Sequence, residues 1–202
     1  MPTYSRSTTT TLLLESLNDP MNQDAWTALD RRMRPIIQGV ACRLGLNAED
    51  AADVAQETMT SFLRAYRSGQ YVRANGRLRD WMCGMARNRV MDLHRIRSRR
   101  HESGASIEEI APISESVVHQ AWDEEERSAI LEESLQELRI NSRMNERTIR
   151  AFEMVVLRGV PEAAAARECA MTVPEIYVAK HRVTSRLREI IAQVTTAYEQ
   201  EG

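Results

Sequence analysis

The sequence predicts an all-α protein with two small helical domains joined by an acidic linker. Apolar residues recur three and four positions apart through most of the chain, as on one face of an α-helix, and no useful length alternates as a strand does. The chain has only 8 Gly and 6 Pro among its 202 residues, few for a sheet protein or a disordered one. The predicted parts are residues 1–100, 101–121 and 122–202, and the last contains a helix-turn-helix.

Three long helices are predicted in the N-terminal domain. The first runs from about Asp24 to Leu44 and ends at Gly45, a residue that readily takes the conformation of a helix C-terminus. The second covers roughly Ala48 to Arg67, and the third covers about Arg77 to Arg97. A loop with two glycines, Ser68 to Gly76, joins the second helix to the third.

The second and third helices each have an apolar side and a polar side. The second is expected to bury Ala52, Ala55, Met59, Phe62, Leu63 and Tyr66 and to expose Asp50, Asp53, Gln56, Glu57 and Thr60. The third is expected to bury Leu78, Met82, Met85, Ala86, Val90 and Leu93 and to present Arg87, Asn88, Met91 and Arg95, with Trp81 beside them.

Each of these polar sides can be interpreted either as a binding surface or as an ordinary part of the fold. An aromatic ring next to arginines and an amide is typical of surfaces that stack and hold single-stranded bases. A large aromatic at helical spacing, however, more often completes a core. The acidic face of the second helix is, by its composition alone, more often solvated surface than a docking site.

Charge along the chain changes sign near residue 101. From Arg87 to Arg100 six arginines stand against Asp92 alone. From Glu102 to Glu137 eleven acidic residues stand against one base, Arg127, so this window has a net charge of about −10. The formal total of −2 therefore hides a basic tract followed by an acidic one. Within the acidic tract, His101 to Gln120 loses helical periodicity and gains Ser, Gly and Pro, which predicts the linker.

The C-terminal domain is predicted to end in two helices joined by a tight turn. It begins with an acidic helix from about Ala121 to Leu138, followed by a helix from Asn145 to Leu157. A short Ala-rich helix, Glu162 to Cys169, precedes a longer one that starts at Val173. Thr172 and Glu175 have the spacing of a capping box at that start.

The longer helix has two different faces. Ile176, Val183, Leu187, Ile190 and Val194 form its apolar face, and Tyr177, Val178, His181, Arg182, Ser185 and Arg188 form the opposite one. Cations, hydroxyls and an aromatic ring suit phosphates and base edges, so the pair can be a helix-turn-helix whose longer helix enters a major groove. An ordinary helical hairpin is the competing interpretation, since Ala-rich helix pairs are common in cores.

Other classes of protein are disfavoured by what the sequence lacks. Without a long apolar run or a signal peptide, the chain is expected to be cytoplasmic and not membrane-bound. Cys42, Cys83 and Cys169 are odd in number and widely spaced, which favours buried thiols over disulfides. The histidines show no zinc spacing, and neither paired metal-binding carboxylates nor a phosphate loop occurs, so no metal, cofactor, small-molecule substrate or enzymatic activity is expected.

The order of these parts resembles the extracytoplasmic-function sigma factors, small promoter-recognition subunits of bacterial RNA polymerase. The resemblance runs from about Leu12 to Ile191. It is carried by Asp24-Ala-Trp26, by the run from Asp50 to Glu57, by Arg77-Leu-Arg-Asp-Trp81 with Ala86-Arg-Asn-Arg-Val-Met-Asp92 and Arg95, and by the run from Tyr177 to Val183 with Leu187-Arg188. Each motif is weak alone, but their order around an acidic linker is specific.

The resemblance implies roles that periodicity cannot supply. It implies docking on the clamp helices of the polymerase largest subunit by Asp50, Asp53, Gln56, Glu57 and Thr60. It implies capture and melting of the minus-ten element by Tyr71, Arg77, Trp81, Arg87, Asn88, Met91, Arg95 and Arg99, in part through the Ser68 to Gly76 loop. It implies reading of the minus-thirty-five element by Thr172, Pro174, Tyr177, Val178, His181, Arg182 and Ser185. It also implies that the acidic linker lies in the RNA exit path.

Several points stay open at this level. The family usually has Gly where this chain has Ala170, so the turn either strains Ala by roughly 1 kcal/mol or takes another geometry. A repressor or activator that binds duplex DNA through the C-terminal half alone is the alternative function. The promoter sequence, the activating signal, an anti-sigma partner and control by a kinase are left undecided.

Overall fold

The computed structural model describes residues 16–17, 19, 22–71, 77–101 and 113–199, except for the side chains at 99–101, 197 and 199. Every element in these ranges is helical, which confirms the all-α prediction for this part of the chain. The residues divide into two compact units. Unit 1 comprises the chain up to Ala129 and the C-terminal end from Ala197, and unit 2 runs from Ile130 to Thr196.

Unit 1 is built on three long helices: α1 (Gln23–Arg43), α2 (Ala48–Arg67) and α3 (Leu78–His101). The side chain of Asn22 accepts a hydrogen bond from the first turn of α1, and the side chain of Asn47 does the same for α2. At the end of α1, Gly45 has a φ of 94°, and the N–H of Leu46 donates back to the Ala41 carbonyl. This is the Schellman termination that a glycine at this position favours.

The core of unit 1 differs from the predicted set by a rotation of α2. Ala51, Val54, Ala55, Met59 and Phe62 are fully buried, whereas Ala52 is exposed. The prediction for Ala52 was wrong because α2 buries Val54, a larger apolar side chain, and Ala51, three residues earlier, turns inward with it. On α3, Leu78, Met82, Ala86 and Val90 are buried as predicted. For α1 the sequence predicts an apolar stripe in which all residues but Trp26 and Leu44 are buried, and the stripe comprises Trp26, Leu29, Met33, Ile36, Ile37, Val40, Ala41 and Leu44.

The acidic segment after α3 starts a helix earlier than expected. Helix α4 runs Glu115–Asn141, so residues 115–121, predicted as linker, form its first two turns. Its part up to Ala129 belongs to unit 1 and buries Val118, Ala121 and Trp122 there. Residues 102–112 of the predicted linker lie outside the described residues. The compact unit thus extends past the predicted domain boundary at residue 122.

Unit 2 contains the rest of α4, then α5 (Glu146–Phe152), a π-helical turn (Glu153–Leu157), α6 (Glu162–Glu168) and most of α7 (Val173–Glu199). One buried cluster joins α5 and its π turn to α6 and the start of α7: Ala151, Met154, Ala165, Ala166, Cys169, Ile176 and Ala179. A second cluster joins the end of α4 to the middle of α7: Leu138, Ile149, Phe152, Val183, Leu187 and Ile190.

Besides Ala52, two side chains expected to be buried are exposed: Cys42, and Val156, which the predicted helix from Asn145 to Leu157 would turn inward together with Ile149 and Phe152. Val156 is 46% exposed because the π turn shifts the helical phase: the N–H of Arg158 donates to the carbonyl of Glu153, five residues back, instead of four. Cys42 lies on the outer side of α1, while Cys83 and Cys169 are buried as predicted. No helix in the described ranges is long and apolar enough to cross a membrane.

Candidate nucleic-acid and polymerase interfaces

The polar face of α2 carries the five residues predicted to dock on polymerase. Asp53, Gln56, Glu57 and Thr60 are exposed and Asp50 is half-buried. Three of them already have partners within unit 1. Arg97 of α3 forms an ion pair with Asp50, Arg89 of α3 forms one with Glu57, and the Arg34 guanidinium donates to the amide oxygen of Gln56 at 2.7 Å. This pairing was not predicted, because it depends on how α3 lies against α2.

Helix α3 separates the predicted minus-ten residues onto different sides. At 100° per residue, Trp81, Asn88 and Arg95 fall within about 40° of one another, so they share one stripe, with Arg77 at its start. Asn88 and Arg95 are exposed and Trp81 is half-buried. Met91 is only 7% exposed, so its predicted presentation to DNA was wrong. The side chain of Arg99 lies outside the described residues.

Trp81 belongs to a group of four aromatic rings. Its ring stacks on Tyr71 with centroids 5.2 Å apart and planes 22° apart, and it meets Phe62 edge-on at 5.7 Å. Tyr66 in turn stacks on Tyr71 at 6.0 Å. Trp81 thus packs on the buried Phe62 and stacks on Tyr71, as a ring at the edge of a core does, and its stacking of unpaired bases stays a prediction. Residues 72–76 of the predicted base-capturing loop lie outside the described residues.

Arg87 faces away from Trp81, toward the segment that leads into α4. Its Nε donates to the Ile113 carbonyl at 2.7 Å, so the structure does not bring it together with Asn88 and Arg95. The reason is angular: residue 87 lies about 120° from residue 81 around the helix. A contact with a residue 26 positions later leaves no signal in the local pattern.

The acidic start of α4 is held on this same side of unit 1 by two arginines. Arg79 of α3 pairs with Asp123 and Glu126, and Arg43 of α1 pairs with Glu124 and Glu125. Partial burial of Arg79 works against its charged form, but the hydrogen bond to Asp123 and the nearby carboxylates outweigh it and raise the pKa of Arg79.

The Glu125 side chain lies against Gly39 of α1. A Cβ atom at Gly39 would collide with the Glu125 carboxylate, the flexible end of that side chain, so glycine leaves room for the carboxylate in this position.

In unit 2 the turn between α6 and α7 has the geometry that a glycine would normally supply. Ala170 has a φ of 49°, the Met171 N–H donates to the Ala166 carbonyl at 2.8 Å, and the Ala170 N–H donates to the Arg167 carbonyl at 3.3 Å. This is a Schellman termination with Ala in the left-handed conformation, the first of the two geometries considered from the sequence. Arg147 supports the turn by donating to the Ala170 carbonyl at 3.3 Å.

The start of α7 is fixed by the predicted capping box. The Glu175 carboxylate accepts hydrogen bonds from the backbone N–H of Thr172 at 2.6 Å and from its hydroxyl at 2.9 Å, and the Glu175 N–H donates back to that hydroxyl at 3.4 Å. The bond from the Thr172 backbone is the main cause that lowers the pKa of Glu175. Thr172 thus has a structural role, whatever else it contacts.

The outward face of α7 is open over its first three turns. Tyr177 and Val178 are each 56% exposed, and Pro174, His181, Arg182 and Ser185 are exposed beside them. Lys180, which the sequence analysis left out, lies with its ammonium 5.7 Å from the centre of the Tyr177 ring and 3.1 Å from the Glu162 carboxylate. Lys180 lies four residues from the buried Ile176, at the border between the apolar and polar faces of α7, so the helical pattern assigned it to neither face.

These surfaces offer stacking, hydrogen bonding and charge. Three or more metal-ligating side chains do not come together anywhere in the described ranges. The fold and its surfaces define a helical protein with arginine-rich and aromatic sides of the kind that nucleic acid requires.

Comparison with known families describes part of the chain more specifically. Residues 29–100 match the family described as Sigma-70 region 2. This domain indicates a sigma factor, and it implies binding to core RNA polymerase and to promoter DNA. The match spans α1, α2 and α3 and so contains both the polar face of α2 and the Trp81 stripe of α3. No curated protein matches the chain closely enough to count as a relative.

Proposed function

We propose that the chain is a sigma factor of the extracytoplasmic-function type, which directs bacterial RNA polymerase to specific promoters without enzymatic activity of its own. The observation that carries the proposal is the arrangement inside the Sigma-70 region 2 match. There the polar face of α2 and the Trp81 stripe of α3 are separate surfaces of one small unit. One surface can therefore hold the polymerase while the other holds unpaired DNA.

For the minus-ten element, the proposal assigns capture of unstacked bases to the Trp81 stripe. Opening a duplex costs a few kcal/mol per extruded base, and an aromatic face returns about 1–3 kcal/mol by stacking. Trp81 supplies the ring, Asn88 an amide that can donate and accept, and Arg95 a cation for the backbone. Tyr71 stacks on Trp81 in the free protein, so an incoming base takes the place of the Tyr71 ring or uses the open side of the indole.

For the minus-thirty-five element, the proposal treats α6 and α7 as a helix-turn-helix. The first turns of α7 expose Tyr177, Val178, His181, Arg182 and Ser185, while its other face is fixed by Ile176 and Val183 in the core. A helix held on one side and bare on the other can lie in a major groove. Lys180 and Arg147 flank this surface and are suited to phosphates.

Two binding units on one chain explain how distant elements are read together. Once the first element is bound, the second encounter is intramolecular and gains from a high effective concentration. A protein with this function works where polymerase and DNA are, which places it in the cytoplasm.

Run-off transcription with purified bacterial core polymerase tests the function most directly. Because the promoter is unknown, the template should be a library randomised over both elements, and enriched start sites should share two motifs. No enrichment over core polymerase alone would contradict the proposal. In the same assay Trp81→Ala should lower productive opening by about five- to 150-fold, as expected from about 1–3 kcal/mol of stacking, while capture by core polymerase persists.

Docking has its own test. Reversing both charges in Asp53→Lys with Glu57→Lys should abolish co-purification with core polymerase. Reversal of Glu132 and Glu146, two exposed acids of unit 2, is the matched control. Equal recovery of both proteins with core polymerase would reject the α2 face.

A stand-alone regulator of duplex DNA is the second candidate, favoured by the self-contained core beneath α6 and α7. Such a protein should bind a duplex tightly by itself, whereas a sigma factor of this kind should need core polymerase. Gel-shift with enriched promoter fragments, with and without core polymerase, separates the two.

A further inference from the structure

The acidic residues at the two ends of the α2 face are each held by an arginine of α3. Arg97 pairs with Asp50 and Arg89 pairs with Glu57, in the order expected for antiparallel helices. Asp50 and Glu57 are seven residues apart, two helical turns, so they point to the same side of α2 and enclose Asp53 between them. The face that the proposed function assigns to polymerase is therefore partly neutralised from within the protein.

The strength of these pairs decides whether a partner can replace them. The side chains of Glu57 and Arg89 are 47% and 44% exposed, and those of Asp50 and Arg97 are 26% and 39% exposed. Pairs at such exposure typically contribute about 0–1 kcal/mol. A partner that offers its own cations at good geometry can therefore take over the carboxylates without unfolding unit 1.

Both arginines lie off the stripe assigned to unpaired DNA. At 100° per residue Arg89 is about 100° and Arg97 about 180° from Asn88 around α3, and the two pairs hold them toward α2. Guanidinium groups bind phosphate strongly and in a fixed geometry. An arginine that is paired with Glu57 cannot at the same moment bind a phosphate with the same edge.

We propose that Arg89 and Arg97 act as a shared set of charges. In the free protein they mask Asp50 and Glu57, and when a polymerase binds those carboxylates the arginines are released and become available to DNA phosphates. The proposal rests on the proposed function and adds a regulatory link to it. Core binding and DNA binding then strengthen each other by the same factor, because linkage between two binding equilibria is reciprocal.

The masking step can be tested without polymerase. The Asp50→Asn/Glu57→Gln variant should bind a short single-stranded oligonucleotide more tightly than the wild type, as measured by fluorescence anisotropy. Two newly available phosphate contacts should also steepen the dependence of log affinity on log salt by about 1.4, from roughly 0.7 per contact on a single strand.

A matched control removes the same charge without freeing an arginine of α3. Asp24→Asn with Glu49→Gln neutralises two exposed acids, each in the first turn of a helix, as Asp50 is in α2. Its salt slope should equal that of the wild type, even if the lower negative charge tightens binding slightly. Circular dichroism should show the same helix content for all three proteins.

The release step is tested with core polymerase. Arg89→Gln/Arg97→Gln should bind core up to about thirtyfold more tightly than the wild type, since two pairs of at most about 1 kcal/mol each no longer compete for the carboxylates. The resulting holoenzyme should hold single-stranded promoter DNA with a salt slope lower by about 1.4. Arg31→Gln/Arg127→Gln, which removes two exposed charges elsewhere in unit 1, should change neither quantity.

The possible failures are distinguishable. If the Asp50 and Glu57 variant keeps the wild-type salt slope, masking is wrong whatever polymerase does. If masking holds but Arg89→Gln/Arg97→Gln binds core no more tightly than the wild type, release is wrong. If the wild type never binds core polymerase, the proposed function fails even though the oligonucleotide result stands.

Discussion

The start of α4 should be an integral part of unit 1, and Trp122 is the residue that tests this. Its indole is 1% exposed, among the largest fully buried side chains of the described chain. Truncating a buried Trp to Ala costs about 3–5 kcal/mol through lost burial and the cavity left behind. For a unit of this size, where 1 kcal/mol shifts the melting temperature by about 3 °C, Trp122→Ala should lower it by about 10–15 °C.

The expected loss is specific to one unit, so the assay must resolve the two. Hydrogen exchange followed by mass spectrometry does so: protection should fall in α1 and α3 and stay unchanged in α6. Val117→Ala is the matched control, because Val117 lies on the same helix but is 49% exposed, and its stability should stay within about 0.5 kcal/mol of wild type. A Trp122→Ala protein as stable as this control would show that the segment is a free tether.

A second substitution of Trp122 separates the effect of the lost side-chain volume from the effect of the unpaired N–H group. The Trp122 Nε1–H is buried and has no hydrogen-bond partner among the described residues, which costs about 1–3 kcal/mol in lost hydration. Trp122→Phe leaves a smaller cavity than Ala and removes that unpaired donor. The two effects oppose each other, so the loss should be under about 2 kcal/mol. A loss equal to that of Trp122→Ala would contradict this division.

Two further outcomes follow from single residues. Ala170→Gly should stabilise unit 2 by about 0.5–1 kcal/mol, because relief of the left-handed strain at a φ of 49° outweighs the greater freedom of the unfolded chain, and a lower melting temperature would contradict it. An alkylating reagent near pH 8 should modify the exposed Cys42 and spare Cys83, since burial raises the pKa of the Cys83 thiol to about 12. Peptide mapping by mass spectrometry measures the modification of each cysteine, and equal modification of the two would contradict this expectation.

Helix boundaries followed closely from local chemistry. The predicted α2, Ala48 to Arg67, is the observed one, and α7 begins at Val173 as the capping box required. Both rest on contacts between residues three to five positions apart, which the sequence displays directly. The first turns of α4, residues 115–121, were missed because contacts with distant parts of the chain hold them: Val118 is buried in unit 1, and Arg87 binds the Ile113 carbonyl just before the helix.

The candidate surfaces also have some features that could be predicted from the sequence and others that could not. The polarity of the α2 face and of the outward side of α7 could be predicted, since each is a helical stripe. The pairing of Asp50 with Arg97, and the contact of Arg87 with the Ile113 carbonyl, could not. Each joins groups 26 or more residues apart, and nothing in the local pattern specifies which side of α3 meets α2 and which meets the start of α4.

The sequence by itself determined that the chain is helical, where most helices begin and end, and which stripe of each helix is polar, because all three follow from interactions within one or two turns. Only the tertiary structure decided which polar side chains are already paired, that Met91 is buried while Val156 is exposed, and that the acidic helix belongs to unit 1 up to Ala129. Those outcomes depend on how distant helices pack together, and packing chooses among polar stripes that look alike in the sequence.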